Sequence, residues 1–243
     1  MIRALAVIVL GAALAGAIPG AALRAHGPEP HGVADKSPFA RTSEFDYEPP
    51  EPGSYELPAL FPTVDGMVID STGTRLRLGD ALKGKIVLLS LIYTLCSDSK
   101  GCPLATAALY DIYNASASDP SLARDLRLVS LSFDPERDTP AAIAAYAAPI
   151  KAAPDAGRKS DWLFLTTESE RALAPILDGF DQPVIRSAGQ NGSEAVLEHI
   201  LYVYLIDRAG RVRNVYTLAF LDPRLIVADV KTLLLEGRRD ARR

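Results

Sequence analysis

Few residues of this chain can do redox or metal chemistry: two cysteines and three histidines among 243 residues. Cys96 and Cys102 are separated by five residues, most of which favour turns. The thiolate form of cysteine binds soft metals and exchanges with disulfides. The pair therefore predicts a metal site or a redox couple, with a plain structural disulfide as the alternative.

Histidine offers one further candidate ligand. His26 and His31 lie in an irregular N-terminal region, so any imidazole chemistry in the folded core falls to His199. A single histidine in a core, without other context, is more often a packed residue than a metal ligand. Position alone therefore leaves both interpretations of His199 open.

The elements around the cysteines predict a reactive pair. Residues 86–93 are an unbroken apolar run, which indicates a strand buried on both faces, and a helix is predicted from Pro103 to about residue 117. Cys96 then follows the strand and Cys102 lies at the helix N-terminus, at the sheet edge where α/β folds bind ligands. The helix dipole and the charge of Lys100 favour a thiolate at Cys102. A disulfide closing so short a loop would add little stability, which favours a working site.

The remaining elements alternate strands with helices. Further strands are predicted at residues 126–133, 162–166, 199–207 and 212–218, with a turn at 208–211 joining the last two. Three further helices are predicted. One spans residues 140–150 and is capped by Thr139, and another begins at a capping box of Thr167 and Glu170 and ends at about residue 179. The last spans residues 223–237. This order predicts an α/β fold, a thioredoxin-like three-layer sandwich. It has a mixed sheet with helices on both faces and an N-terminal β-hairpin extension at residues 67–78.

Three segments are expected along the chain. Residues 1–25 indicate a signal peptide or N-terminal membrane anchor, because Arg3 precedes about 20 apolar or small residues (4–23). Residues 26–56 are predicted to be a proline-rich linker, and residues 57–243 the thioredoxin-like domain. The protein is therefore expected in the periplasm or elsewhere outside the cytoplasm, tethered to the inner membrane if the first segment is retained.

The composition excludes several function classes. A net charge of −4 offers no basic face for nucleic acid. The sequence contains no glycine-rich phosphate loop and no Ser-His-Asp pattern. The cysteines remain the strongest candidates for chemistry.

Three sequence blocks resemble the Sco/SenC family of copper-binding, thioredoxin-fold proteins. Residues 84–96, followed by Cys102-Pro103-Leu104, are similar to the strand-and-cysteine block of that family. Residues 133–140 (FDPERDTP) closely match its second signature. Glu198-His199, leading into residues 202–207, is similar to its distal histidine block. The resemblance spans about residues 61–235, nearly the whole predicted domain.

The resemblance implies a copper site made by Cys96, Cys102 and His199. Two thiolates suit Cu(I), and an imidazole helps the same site accept Cu(II). Members of the family typically help load copper into cytochrome c oxidase, so the implied partners are copper and an oxidase subunit or a redox partner protein. Two positions depart from the family pattern: five residues rather than three separate the cysteines, and Glu198 stands where aspartate is usual. We expect the second change to affect the orientation of the histidine rather than binding itself.

Alternatives to copper delivery stay open. An extracytoplasmic thiol-disulfide oxidoreductase would use the Cys96/Cys102 pair and bind copper only incidentally. A peroxide-reducing thiol enzyme would need a threonine and an arginine around its cysteine; Thr94 is near Cys96 in sequence, but no arginine is. Asp134 and Asp138 are expected to shape a turn and a helix cap, with orientation of the site as the alternative role.

Overall fold

The structure, a computed structural model, describes residues 45–96, 98, 101–152, 156–187 and 196–240. The predicted targeting segment (1–25), residues 26–44 of the predicted linker, and Lys100 lie outside the described residues. The described residues all belong to one compact unit. No helix within the described residues is long and apolar enough to cross a membrane.

Eight strands form one mixed sheet in the order β1-β10-β9-β4-β5-β6-β2-β3. The strands are β1 (Phe61–Pro62), β2 (Met67–Asp70), β3 (Arg75–Arg77), β4 (Ile86–Ile92), β5 (Leu126–Ser132), β6 (Asp161–Thr166), β9 (Val203–Ile206) and β10 (Arg211–Tyr216). Strands β4, β5 and β6 are parallel, whereas β9 runs antiparallel to β4. A separate antiparallel pair, β7 (Val184–Ser187) and β8 (Val196–His199), makes a second small sheet.

Helices cover both faces of the main sheet. They are α1 (Leu78–Leu82), α2 (Cys102–Ser116), α3 (Pro120–Asp125), α4 (Pro140–Lys151), α5 (Glu170–Gly179) and α6 (Pro223–Asp240). All seven residues of β4 are buried; Ile86 and Leu88 pack with α2, α4 and α6, whereas Val87 and Leu89 pack with α1 and α5. Alternate side chains of a strand point to opposite faces, so an unbroken apolar run serves two cores. The predicted α/β sandwich is confirmed.

Two local predictions at turns and extensions hold. The hairpin of β2 and β3 pairs antiparallel and joins the sheet edge through β2 and β6. Gly210 forms the turn between β9 and β10, with φ of +77° and its N–H donating to the carbonyl of Asp207 (2.9 Å). A side chain would strain that left-handed conformation, which is why glycine stands there.

The strand predicted at residues 199–207 is wrong, because the chain breaks it in two. His199 ends β8 and pairs with Val184 of β7, while β9 begins only at Val203 in the main sheet. Between them, the side-chain amide of Gln182 donates to the carbonyl of Ile200 (2.9 Å). A buried glutamine therefore takes the place of a strand neighbour at that carbonyl, and the two halves pair with different partners.

The capping box predicted at Thr167 and Glu170 is also wrong. Ser169 is the N-cap of α5, and its hydroxyl accepts the N–H of Ala172 (3.3 Å). The Thr167 hydroxyl instead donates to the carbonyl of Ser169 (3.1 Å). Glu170 is then the first helical residue, too early to close a capping box. Thr139 does cap α4 as predicted, accepting the N–H of Ala142 (3.3 Å).

The described part of the predicted linker packs on α6. The Tyr55 hydroxyl donates to Asp229 (2.5 Å), and the N–H of Gly53 donates to the hydroxyl of Thr232 (2.9 Å). The guanidinium of Arg224 donates to the carbonyl of Phe45 (3.0 Å). These contacts place residues 45–56 against the folded unit.

Removing the carboxylate of Asp119 is expected to destabilise the protein in a pH-dependent way. Partial burial acts to raise the pKa of Asp119, but hydrogen bonds from Ser121, Lys231 and the N–H of Leu122 outweigh it and lower the pKa to about 2. A lowered pKa stabilises the fold above the unfolded value near 4, and that contribution is lost as the pH falls through about 2. Asp119→Ala should cost about 1 kcal/mol at pH 7, as loss of a helix cap does.

Urea unfolding of wild type and Asp119→Ala at pH 7 and at pH 3 measures the difference. The gap in unfolding free energy should shrink at pH 3. Asp178→Ala, at an exposed helical carboxylate, is the matched control and should show little change at either pH. A gap that is equal at both pH values would contradict the assignment.

Candidate metal centre

Cys96 lies in a tight turn directly after β4. Its N–H donates to the carbonyl of Tyr93 (3.2 Å), and its side chain is partly exposed. Thr94, in the same turn, donates to the carboxylate of Asp138 through both its N–H (3.0 Å) and its hydroxyl (2.5 Å). Asp138 is fully buried and accepts a third hydrogen bond, from the hydroxyl of Ser132 (2.5 Å). The loop that carries Cys96 is therefore tied to the segment after β5.

Cys102 is the first residue of α2 and is only 1% exposed. Gly101 precedes it, with its N–H donating to the carbonyl of Asp98 (2.9 Å). A Cβ at Gly101 would lie 3.3 Å from the sulfur of Cys96, so a larger residue would press on the pair. Cys96 and Cys102 are both free thiols, not joined in a disulfide.

The thiolate expected at Cys102 is contradicted for the metal-free site. Burial raises the pKa of the Cys102 thiol well above its usual range, because an apolar environment disfavours the charged form. The favourable helix N-terminus does not compensate for that burial. A bound metal ion would replace the proton and supply the missing positive charge.

His199 points its ring at the cysteines from the end of β8. Its Nε2 lies 3.6 Å from the sulfur of Cys102, and its Nδ1 lies 3.1 Å from the carbonyl of Ile200. Since a carbonyl only accepts, Nδ1 carries the proton and Nε2 keeps its lone pair towards Cys102. Burial lowers the pKa of His199, which favours the neutral imidazole that binds metals. Phe133 packs against the ring, with centroids 4.5 Å apart.

The three predicted ligands come together in space. The sulfurs of Cys96 and Cys102 and a ring nitrogen of His199 all lie within 4.8 Å of one another. The five-residue gap between the cysteines does not separate their sulfurs. Two sulfurs and a neutral imidazole suit soft or borderline ions such as Cu(I) and Zn²⁺, so the donor set fits the metal that the resemblance implies.

Glu198 is not the residue that orients the His199 ring. Its side chain is exposed and accepts a hydrogen bond from the Ser187 hydroxyl (3.4 Å) across the small sheet. The carbonyl of Ile200 orients the imidazole instead. A main-chain acceptor leaves no trace in the residue types, which is why the sequence did not reveal it.

Sequence reasoning missed Phe133 and undervalued Asp138. Asp138 was expected to shape a turn and cap, yet its hydrogen bonds reach the cysteine loop. Phe133 could have been found, because β4 and β5 are parallel with Ile92 opposite Ser132. That register places Phe133 beside Tyr93, and hence beside the residues that lead to Cys96.

Two grooves meet at Cys96. One, of about 600 Å³, is lined by both cysteines and by side chains of α2 and α4, including Thr106, Tyr110 and Tyr146. The other, of about 940 Å³, is lined by Cys96, His199 and residues that include Leu218. The site can therefore be reached from two directions, and only the second groove includes the imidazole.

Known proteins are similar to this chain in sequence. The sequence profile described as SCO1/SenC matches residues 67–235. A SCO1 protein homolog of Bacillus subtilis (strain 168) is 27% identical over 167 residues, which cover 68% of this chain and 76% of that protein.

Solved structures of related proteins share the fold. One is of BsSco, described as a member of the Sco family of cytochrome c oxidase assembly proteins in which a disulfide switch was identified. It is 26% identical with a TM-score of 0.54, and the match covers 71% of this chain and 93% of that one. Bradyrhizobium japonicum ScoI, solved with copper bound, is 24% identical with a TM-score of 0.56, covering 70% and 97%. Since the profile matches well over half of the sequence, the chain belongs to the SCO1/SenC family.

Proposed function

We propose that this protein binds one copper ion through Cys96, Cys102 and His199 and helps to insert copper into a respiratory oxidase. The observation that carries the proposal is the convergence of two sulfurs and one imidazole nitrogen within 4.8 Å. Copper is the cargo of this activity, and the acceptor is an oxidase subunit. The family, one member of which is described as a cytochrome c oxidase assembly protein, supports this choice of acceptor.

The chemistry of the three side chains supports both binding and release of copper. Two thiolates favour Cu(I), while the imidazole makes Cu(II) acceptable at the same position. Cys102 is buried, whereas Cys96 is partly exposed and lines both grooves. An acceptor ligand would therefore approach the copper from the side of Cys96 and His199, with Cys102 as the last donor to be replaced.

The proposed location is outside the cytoplasm, in the periplasm of a bacterium. The apolar stretch at residues 4–23 supports export, either as a cleaved signal or as a tether to the inner membrane.

A copper titration of the reduced protein tests the proposal. Wild type should take up one copper per chain and show thiolate-to-Cu(II) charge-transfer absorption. His199→Ala should retain Cu(II) at least tenfold more weakly, since one of three ligands is lost. His31→Ala removes a histidine that is not one of the three proposed ligands and should behave as wild type. A wild-type protein that takes up no copper would end the proposal.

A thiol-disulfide oxidoreductase is the second candidate, favoured by the groove that both sulfurs line. In such an enzyme the Cys96/Cys102 couple would turn over on a protein disulfide, and His199→Ala would have little effect. The titration separates the two functions, because only the copper site needs the imidazole. Reduction of peroxide has less support, since the Thr94 hydroxyl that it would use donates to Asp138.

A further inference from the structure

His199 is carried by the small β7–β8 sheet, while both cysteines belong to the loop and helix that follow β4. The two sheets share no strand, so, apart from the three residues that link β8 to β9, the distance between the imidazole and the sulfurs depends on side chains that join the sheets. We propose that Arg186 of β7 is a positioning residue that holds His199 at the metal site by binding the buried carboxylate of Asp134. The expected effect on copper rests on the proposed function, whereas the role of Arg186 in positioning the His199 ring does not.

Arg186 joins the small sheet to two other parts of the fold. It lies opposite Leu197, two residues before His199, in the β7–β8 register. Its guanidinium pairs with Glu170 of α5 and approaches Asp134 (3.5 Å) and Glu136 (3.8 Å). Within the described residues, no other residue of β7 or β8 makes an ion pair outside the small sheet.

Asp134 is the most deeply buried of the three acidic partners of Arg186. Its side chain is 0% exposed, and its Oδ2 accepts the Nε–H of Arg137 (2.5 Å). Its Oδ1 is buried, accepts no hydrogen bond from the described residues, and faces the guanidinium of Arg186. A buried carboxylate needs nearby positive charge, and Arg186 supplies it on the side of Oδ1 as Arg137 does at Oδ2.

Asp134 also follows Phe133, whose ring packs against His199. One short segment after β5 therefore contacts the small sheet twice, through the Phe133 ring on His199 and through the Asp134 carboxylate on Arg186. Two contacts on different strands of the pair resist rotation of the pair as well as translation. The position of the imidazole over Cys102 follows from both.

The other contacts of the small sheet are concentrated at its His199 end. Leu197 is 5% exposed within the core, Gln182 donates to the carbonyl of Ile200, and Val184, opposite His199, packs against the same core. Further along β7, by contrast, Ile185 is 60% exposed and contributes little packing. Without Arg186, β7 would be held to the core only through Val184, and the pair could pivot and carry His199 away from Cys102.

The cysteines would not follow such a movement. Cys96 is held through Thr94 and Asp138, and Cys102 is held by α2, neither of which involves Arg186. Loss of Arg186 should therefore weaken the imidazole contribution while both thiols stay in place. Retention of Cu(II), which depends on the imidazole, should suffer far more than retention of Cu(I).

Arg186→Gln, which removes the charge but keeps a polar side chain, tests the proposal in two ways. In the metal-free protein, acylation of His199 by diethyl pyrocarbonate, followed by peptide mass spectrometry, should be about fivefold faster than in wild type. In the copper-bound protein, the affinity for Cu(II) should fall at least about tenfold, whereas the affinity for Cu(I) should change by less than about threefold. Arg186→Lys should restore most of both properties.

Arg75→Gln is the matched control, since it breaks the ion pair between Arg75 and Glu168. Both side chains of that pair are exposed, and both residues are distant in sequence from the cysteines. It should leave both readouts at the wild-type values. If circular dichroism shows that Arg186→Gln is unfolded, Glu170→Gln removes one partner of Arg186 and should give a smaller increase in acylation. A wild-type acylation rate in folded Arg186→Gln would overturn the proposal, as would a wild-type rate in Glu170→Gln if Arg186→Gln does not fold.

The readouts keep the two proposals apart. Wild type that binds no copper would end the proposed function, and the acylation rates would still decide the role of Arg186. Copper binding by wild type together with unchanged Cu(II) retention in Arg186→Gln would overturn the positioning role and leave the copper site standing.

Discussion

Cys102→Ser is expected to lower the affinity of the protein for Cu(I) by more than 100-fold. Loss of a residue that only supports a ligand costs 10- to 100-fold in metal affinity, so loss of a thiolate ligand should cost more. A serine hydroxyl is a hard donor that stays protonated and does not replace sulfur for Cu(I). Cys96→Ser should have an effect of similar size, because either change leaves one thiolate and one imidazole.

Anaerobic competition with a chromophoric Cu(I) chelator measures both affinities. Serine is close to cysteine in size, so circular dichroism melting should confirm that the fold is kept. Ser90→Ala, at a buried position of β4 that is not one of the proposed ligands, is a control for small changes near the same strand. Wild-type Cu(I) affinity in Cys102→Ser would show that copper binds elsewhere.

Asp138→Ala should be the most destabilising single change near the site, at roughly 3–5 kcal/mol. The change removes the acceptor of three hydrogen bonds, two from Thr94 and one from the buried hydroxyl of Ser132. The buried Ser132 hydroxyl and the half-buried N–H and hydroxyl of Thr94 would then be left without their partner. The Cys96 loop should loosen at the same time, because Thr94 lies two residues before Cys96.

Urea unfolding of the reduced, metal-free protein measures this effect. Asp138→Asn keeps one carbonyl acceptor in the same place and should cost about 2 kcal/mol. Thr94→Val keeps the shape of the side chain, removes only the hydroxyl and should cost about 1 kcal/mol. An Asp138→Ala protein as stable as Thr94→Val would mean that water replaces the carboxylate.

The central strands and the cysteines could be predicted because their signals are local. The apolar runs at 86–93 and 126–133 correspond to β4 (Ile86–Ile92) and β5 (Leu126–Ser132), since a strand buried on both faces is mostly apolar along its whole length. Proline after a capping residue similarly predicted the start of α4 at Pro140. Placement of Cys96 and Cys102 followed from these elements alone.

The parts that were missed depend on contacts between distant residues. The β7–β8 pair carries Ile185 and Arg186 at exposed positions, so it lacks the alternation that marks a strand. The break after His199 depends on Gln182, 18 residues away from Ile200. Thr167 and Ser169 are equally good caps by residue type, and only the start of the helix at Glu170 decides between them.

The packing of residues 45–56 on α6 matters to anyone who shortens this protein. Asp229 of α6 is 1% exposed and accepts hydrogen bonds from the hydroxyls of Tyr55 and Tyr216. A protein trimmed to begin at residue 57, at the end of the proline-rich stretch, would lose Tyr55 and open this buried carboxylate to solvent. Gly53, whose left-handed backbone (φ of +80°) lies against Leu235, would go with it. A truncation that keeps the fold whole therefore starts no later than residue 45.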